Sequence, residues 1–363
     1  MDSGNLMETL FDTMEHGTAA QKFALLETIR EKGDISLITP LVNFLEKEKS
    51  RAVKDRILIV LDVLVPLSGY KNVDRMLRSP DPQVRNGIVE IIRRSDIPII
   101  NFLEKLSEDD DKDVRKFVID SLSSEKSEKA IQIVRRRLHD PDINIVYTAI
   151  EYLGNFKDRE SVDTIETLLL GTDNLMVVCA GMEALAKIGE SPRKQTIMDT
   201  FMKSYRNFMI NFPLLRYLAA FGSPDSFAYI ENLVENNPDT FTKEIIDAVE
   251  GIMQNHHLES LPLSLRRKLA DMSEIIVNNV DKYAVAKLLA RAGESRGVLL
   301  KRARKMLDDP DPIIKLCGIE LLADSGEAKD IQRLEDIAEH IDDDELLEAI
   351  GDAVMKIQER TGD

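Results

Sequence analysis

The sequence predicts an all-α fold, an α-α superhelix (solenoid) of about eleven helical hairpins. Three observations predict it. A turn-and-helix phrase returns with a period of roughly 33 residues. Apolar residues between the turns keep the spacing of helices. No run sustains the alternation of a strand. One hairpin cannot bury its apolar faces alone, whereas a stack of hairpins buries them against neighbours.

The phrase is an acidic turn, then Val-Arg or a relative, then a small residue and an aliphatic one along the following helix. It reads Asp81-Pro82-Gln83-Val84-Arg85 and returns at Asp111-Lys112-Asp113-Val114-Arg115, Asp142-Ile143-Asn144-Ile145 and Asp311-Pro312-Ile313-Ile314-Lys315. The turn residues Asp81, Asp111, Asp142, Asp173, Asp239 and Asp311 are 30, 31, 31, 66 and 72 residues apart, the last two gaps being double periods. A second marker agrees: Gly154, Gly189, Gly222, Gly293 and Gly326 are spaced 35, 33, 71 and 33. A glycine just past a helix closes the last turn in the left-handed conformation, which is the role expected of these five. Within a unit, Ile131, Val134 and Leu138 mark the first helix and Ile145, Ala149 and Leu153 the second. The Pro-Asp step between them suits a helix start, where Asp caps exposed amides and meets the positive end of the dipole. A single continuous array over 1–363 is expected. Its repeats are clear over 73–190 and 298–324 and degenerate over 1–70 and 200–280, and a capping repeat occupies 331–363.

The phrase Asp-x-x-Val-Arg-x-x-small-x-x-x-Leu, the period and the two-helix unit together resemble the HEAT repeat, including the variety found in phycobilin lyase subunits. The resemblance spans essentially the whole chain. It implies that a turn Asp and a second-helix Arg tie adjacent repeats together. That role falls to Asp81 with Arg85, Asp111 with Arg115 and, in weaker form, Asp311 with Lys315; Val146 interrupts the ladder. It implies also that the second helices line a concave, protein-gripping surface, and so a non-enzymatic scaffold or adaptor that recruits protein partners. The alternative is a lyase-like or hydroxylase-like enzyme subunit. The His-Glu steps of helical-repeat hydroxylases do not occur here, and there is no Trp such as the repeat DNA glycosylases use.

Composition narrows the function classes. Hydrophobic residues make up 43% of the 363-residue chain, which supports a folded core, and aromatics only 5%, which suits thin aliphatic layers. Acidic residues outnumber basic ones 65 to 48, a net charge of −17, whereas a nucleic-acid binder carries a basic face. The basic runs at 135–137, 266–268 and 301–305 lie on predicted helices among acidic neighbours and read as solvated faces. Cys179 and Cys317 sit in apolar helical stretches and read as core thiols of a reducing compartment. The first residues lack a signal-peptide pattern, and the longest apolar run, Ile57 to Leu67, is broken by Asp62 and Pro66. A cytoplasmic protein with no membrane and no nucleic-acid partner is expected. The five histidines His16, His139, His256, His257 and His340 are scattered over different repeats, and no nucleophile, phosphate-loop or metal motif accompanies them. No catalytic, metal or cofactor site is therefore expected.

Two features are candidates for binding protein. The first is a register of carboxylates on the second helices: Glu90, Asp120, Glu151 and Glu183, continuing as Glu250, Glu320 and Asp352, with Arg216 and Lys287 at the same register. Stacked, the first four form an acidic column suited to a basic segment of a partner. The second is an aromatic cluster over 201–241, with nine of the nineteen aromatic residues, among them Tyr205 and Tyr217. Such rings serve either as bulk in an irregular region or as interface anchors.

Overall fold

A computed structural model describes residues 3–68, 72–94, 100–204, 207–238 and 240–362. Two compact units, residues 1–161 and 162–363, divide the chain. In the first, five hairpins pair α1 (Ser3–His16) with α2 (Ala19–Lys32), α3 (Ile38–Lys47) with α4 (Arg51–Leu67), α5 (Val73–Leu77) with α6 (Pro82–Arg94), α7 (Ile100–Leu106) with α8 (Lys112–Ser121), and α9 (Glu128–Arg136) with α10 (Ile143–Phe156). In the second, six hairpins pair α11 (Val162–Leu170) with α12 (Leu175–Ile188), α13 (Lys194–Phe201) with α14 (Phe208–Phe221), α15 (Phe227–Asn236) with α16 (Thr242–Asn255), α17 (Leu263–Ile275) with α18 (Asn279–Arg291), α19 (Arg296–Met306) with α20 (Pro312–Ser325), and α21 (Ala328–Ala338) with α22 (Asp344–Thr361). The fold is all-α, with no strand among the described residues. The eleven hairpins match the number read from the period.

Side-chain caps set where the second helices begin. Asp111, Asp142 and Asp311 accept from the backbone N–H two residues on, at 2.9 Å in each case. Asn174, Asn207 and Asn278 do the same work in hairpins six, seven and nine, and Asp343 in the last. Asn accepts such a bond as well as Asp. The sequence frame placed the sixth turn on Asp173; the cap is its neighbour Asn174. Asp239, the anchor expected for the eighth hairpin, lies outside the described residues, and Phe241 precedes α16 with φ +60° and no side-chain cap.

The glycine markers divide into three groups. Gly189 and Gly293 take positive φ, 79° and 78°, as expected of helix-closing glycines. Gly154 lies inside α10, and Lys157 supplies the left-handed cap with φ 57°. Gly222 and Gly326 are extended, with φ −58° and −59° and ψ 151° and 162°. There a Cβ would lie 2.5 Å from the Leu218 carbonyl and 2.6 Å from that of Leu322, and 2.8 Å from Ile252 and Ile357 of the next second helix. Crowding by the carbonyl one turn back and by the next second helix, not a positive φ, selects glycine at these two positions.

Within each unit the second helices pack in succession: α2 to α4 to α6 to α8 to α10, and α12 to α14 to α16 to α18 to α20 to α22. Their inner sides form the core with the first helices. Hairpin five buries Ile133 and Val134 of α9 against Ile145, Ala149 and Leu153 of α10, while Ile131 is only half-buried. Each fully buried Leu or Ile contributes about 1.5–3 kcal/mol. Pro213 stands inside α14 and has no N–H for the Met209 carbonyl; the Cys179 thiol of α12 donates to that oxygen at 3.4 Å. Neighbouring repeats thus repair each other's backbone bonding.

Candidate functional site

The turn acids tie repeats together, but not within their own repeat. Asp81 accepts from the Lys54 ammonium on α4 and from the Gln83 N–H at 2.8 Å. The Lys54 hydrogen bond, against a smaller upward push from burial, holds its carboxyl below the usual carboxylate range. Arg85 donates to the Ser79 carbonyl at 2.7 Å and lies over the Phe117 ring of α8 at 5.5 Å. Arg115 passes over Asp111 of its own turn and makes a bidentate pair with Asp140 of the next, both bonds 2.8 Å. Asp140 is fully buried there and accepts also from the Asp142 N–H at 2.9 Å. Burial pushes the Asp140 carboxyl up, but Arg115 and the amide bond outweigh it and the net shift is downward. Asp142 in turn pairs with Lys112 at 3.0 Å. In the second unit, a hydrogen bond from the Asn279 side chain holds Asp311 low, and Lys315 meets Asp311 through its backbone N–H at 3.0 Å. The ladder therefore runs from the second helix of one repeat to the turn of the next. Its register differs from the in-repeat pairs Asp81–Arg85 and Asp111–Arg115 because the long Arg and Lys side chains reach across the stack.

The carboxylate register is exposed at Glu90, Glu151 and Asp352 and half-buried at Asp120, Glu183, Glu250 and Glu320, and several of its charges are engaged. In the first unit Glu90 pairs with Arg93 at 3.0 Å. Asp120 accepts from Lys116 at 2.6 and 2.8 Å and from the Tyr152 hydroxyl of α10 at 2.8 Å. Burial, together with the Asp120 charge, pushes the Tyr152 hydroxyl well above its ordinary range. Glu151 is exposed. In the second unit the register alternates in sign through Glu183, Arg216, Glu250, Lys287 and Glu320, and ends on a second acid, Asp352. Lys287 pairs with Glu320 at 3.0 Å, Glu250 with Arg291 at 3.1 Å, and Arg216 stacks on Phe212 at 5.0 Å. Burial pushes the Glu320 carboxyl up, but the Tyr283 hydroxyl at 2.6 Å and Lys287 reverse the shift. In the first unit the register is acidic at each of Glu90, Asp120 and Glu151, and Glu183 begins it in the second.

The aromatic cluster also resolves into roles. Tyr205 lies outside the described residues. Tyr217, a candidate anchor in the sequence, is 0% exposed. Its hydroxyl donates to Ser191 Oγ at 2.6 Å, and Ser191 donates to the buried Glu166 at 2.6 Å, a polar chain that fixes the turn between α12 and α13. Burial pushes the Tyr217 hydroxyl strongly upward. Tyr229 is likewise buried and bonded to Asn211 at 2.9 Å. The exposed ring is Phe208, 59% accessible, with its centroid 4.8 Å from that of Phe241.

Sequence reasoning missed an apolar row at the starts of the second helices. Met176, Met209, Val280 and Ile313 each hold the second position of α12, α14, α18 and α20, with exposures of 48, 53, 57 and 39%. Lys243 holds the same position in α16. The signal was present, since each follows its Asn or Asp cap by two residues, but it needed the Asn caps to be read as turn anchors.

Among the described residues, no three or more His, Cys, Asp or Glu are placed to hold a metal ion, and no helix is long and apolar enough to cross a membrane. His256 bonds the Gly222 carbonyl at 3.1 Å and, with His257, follows the end of α16 instead of continuing it.

A family model described as HEAT repeats matches residues 71–146 and 136–207. Among solved structures, two crystal structures of importin beta match, one in a polyethylene glycol condition and one in an ammonium sulfate condition. Both have a TM-score of 0.58, at 11% and 13% identity, over 98% of this chain. This chain spans 60% and 58% of the length of those two chains, and at such identities the likeness is one of fold. No curated protein matches the chain.

Proposed function

We propose that this chain, whose HEAT repeats span 71–207, is a non-enzymatic scaffold that recruits partner proteins along the layer formed by its second helices. One observation carries the reading: Met176, Met209, Val280 and Ile313 stand exposed at one repeated position of the second-helix layer. A recurrent apolar row bordered by charged residues is the surface type that protein interfaces use, with apolar anchors inside a polar rim. Glu151 adds exposed negative charge on a second helix of the first unit, which favours basic partner segments, and Glu90 is exposed beside it in the register but paired with Arg93. The repeats form a single array over residues 1–363, in a soluble protein of the cell interior.

The test is affinity capture from the protein's own cell with the full chain, comparing wild type, a Met209→Asp/Val280→Asp variant and a Glu90→Lys/Glu151→Lys variant. The first variant is expected to lose the main partners and the second to lose a basic subset. If all three, equally folded, retain the same partners, the second-helix layer is not the binding surface.

A further inference from the structure

The second-helix layer of the second unit opens between α16 and α18 into a cleft of about 500 Å³. That is within the ~300–1,000 Å³ of ordinary ligand pockets. Its cause lies in the side chains. Where α18 faces α16 it presents the single methyl of Ala284. The longer neighbours on α18 line the cleft with their stems while their ends are tied across to the next repeat: the Tyr283 hydroxyl and the Lys287 ammonium both reach Glu320 on α20, at 2.6 and 3.0 Å. At the far end Arg291 bridges to Glu250 of α16 at 3.1 Å. The walls nearest the helix starts are apolar, formed by Ile246 and Val280, and Val280 belongs also to the exposed apolar row.

The charges around the cleft are unbalanced once the internal pairs are set aside. Lys287 and Arg291 are neutralised by Glu320 and Glu250. What remains at the rim is Lys243 against Asp247 and Asp281, an excess of one negative charge beside an apolar pocket. We infer that this cleft anchors a partner polypeptide segment that offers one large apolar side chain, flanked by lysine or arginine. The inference rests on the scaffold reading and assigns it a specific pocket and a partner chemistry. The apolar side chain enters between Ile246, Val280 and Ala284, and the flanking cation meets Asp247 and Asp281 at the rim.

The experiment uses the full chain and three labelled synthetic helical peptides of equal length, followed by fluorescence anisotropy. One peptide combines Leu with Lys, one replaces Lys by Glu, and one replaces Leu by Ser. The Leu/Lys peptide is expected to bind most tightly. Ala284→Trp, which fills the cleft, is expected to weaken it by about tenfold or more, the scale of losing one buried anchor. Asp247→Lys/Asp281→Lys is expected to weaken it too, whereas Glu335→Lys/Glu339→Lys, two exposed acids at α21 with the same change in net charge, leaves it unaltered. Val280→Asp, at a position 57% exposed, repeats the test without burdening the fold. Equal binding of the Ser/Lys peptide, no binding of the Leu/Lys peptide, or indifference to both Ala284→Trp and Val280→Asp overturns the assignment. Any of these results leaves the capture experiment free to succeed, so failure of the pocket and failure of the scaffold are told apart.

Discussion

Replacing Asp140 by Asn removes the charge that holds Arg115 while keeping the side chain's shape. The carboxylate is fully buried and takes two 2.8 Å bonds from Arg115 and one of 2.9 Å from the Asp142 amide. Breaking a buried pair by removing one partner costs about 3–5 kcal/mol, because the other charge is left uncompensated. Arg115 keeps the carbonyls of Asp109 and Asp110, at 2.7 and 3.1 Å, so the loss belongs near the lower end, about 3 kcal/mol. For a unit of this size that lowers the unfolding midpoint by about 6–12 °C. Far-UV circular dichroism during heating and urea titration measure it. Asp111→Ala, which removes only a helix cap, is expected to cost about 1 kcal/mol. The double variant Arg115→Met/Asp140→Leu is expected to recover only part of the loss, since the buried Arg137 guanidinium at 3.4 Å and the Asp142 amide also lose their acceptor. The pH dependence has a definite sign. The Asp140 carboxyl is held below its ordinary value, so its stabilisation is present above about pH 4 and disappears as pH falls through the lowered folded value. The gap between wild type and Asp140→Asn is therefore expected to close in acid. A loss below about 1 kcal/mol at neutral pH, typical of exposed pairs, would refute the argument that this ladder is buried and directional.

Other expectations follow from the same geometry. Tyr217→Phe removes one donor from the Ser191–Glu166 chain and is expected to cost about 1 kcal/mol by urea titration, with no change in partner capture. Gly222→Ala, where a Cβ would meet the Leu218 carbonyl at 2.5 Å and Ile252 at 2.8 Å, is expected to destabilise by about 1–3 kcal/mol. Gly351→Ala, in α22 with open space around it, is expected instead to gain up to about 1 kcal/mol in the same assay. Phe208→Ala, at a ring 59% exposed, is expected to change stability by less than about 1 kcal/mol while weakening capture of partners.

Much of the fold was legible because it repeats. The Asp81, Asp111, Asp142 and Asp311 turns each precede a second helix, and period with amphipathic spacing fixed the number of hairpins. What escaped was chemistry that one residue type shares with another. Asn174, Asn207 and Asn278 cap as Asp does, so a frame built on Asp alone slipped to Asp173. Glycine at a helix end has two causes, and only the coordinates separate the left-handed Gly189 from the crowded Gly222 and Gly326. The site was less legible because exposure on a stacked helix depends on its neighbours. Tyr217 and Phe208 lie nine residues apart on one helix, yet one is buried on a serine and the other stands in solvent. The carboxylate register was visible, but its partners Lys116, Tyr152 and Lys287 approach from other turns or other repeats.

The claim on which the rest depends is that partners lie against the second helices. Hydrogen–deuterium exchange of the full chain, alone and with a partner recovered by capture, measures this directly. Slowed exchange is expected at the starts of α12, α14, α16, α18 and α20, around Met176, Met209, Lys243, Val280 and Ile313, with the first helices unchanged. Protection confined to the first helices α11, α13, α15, α17 and α19 would contradict it.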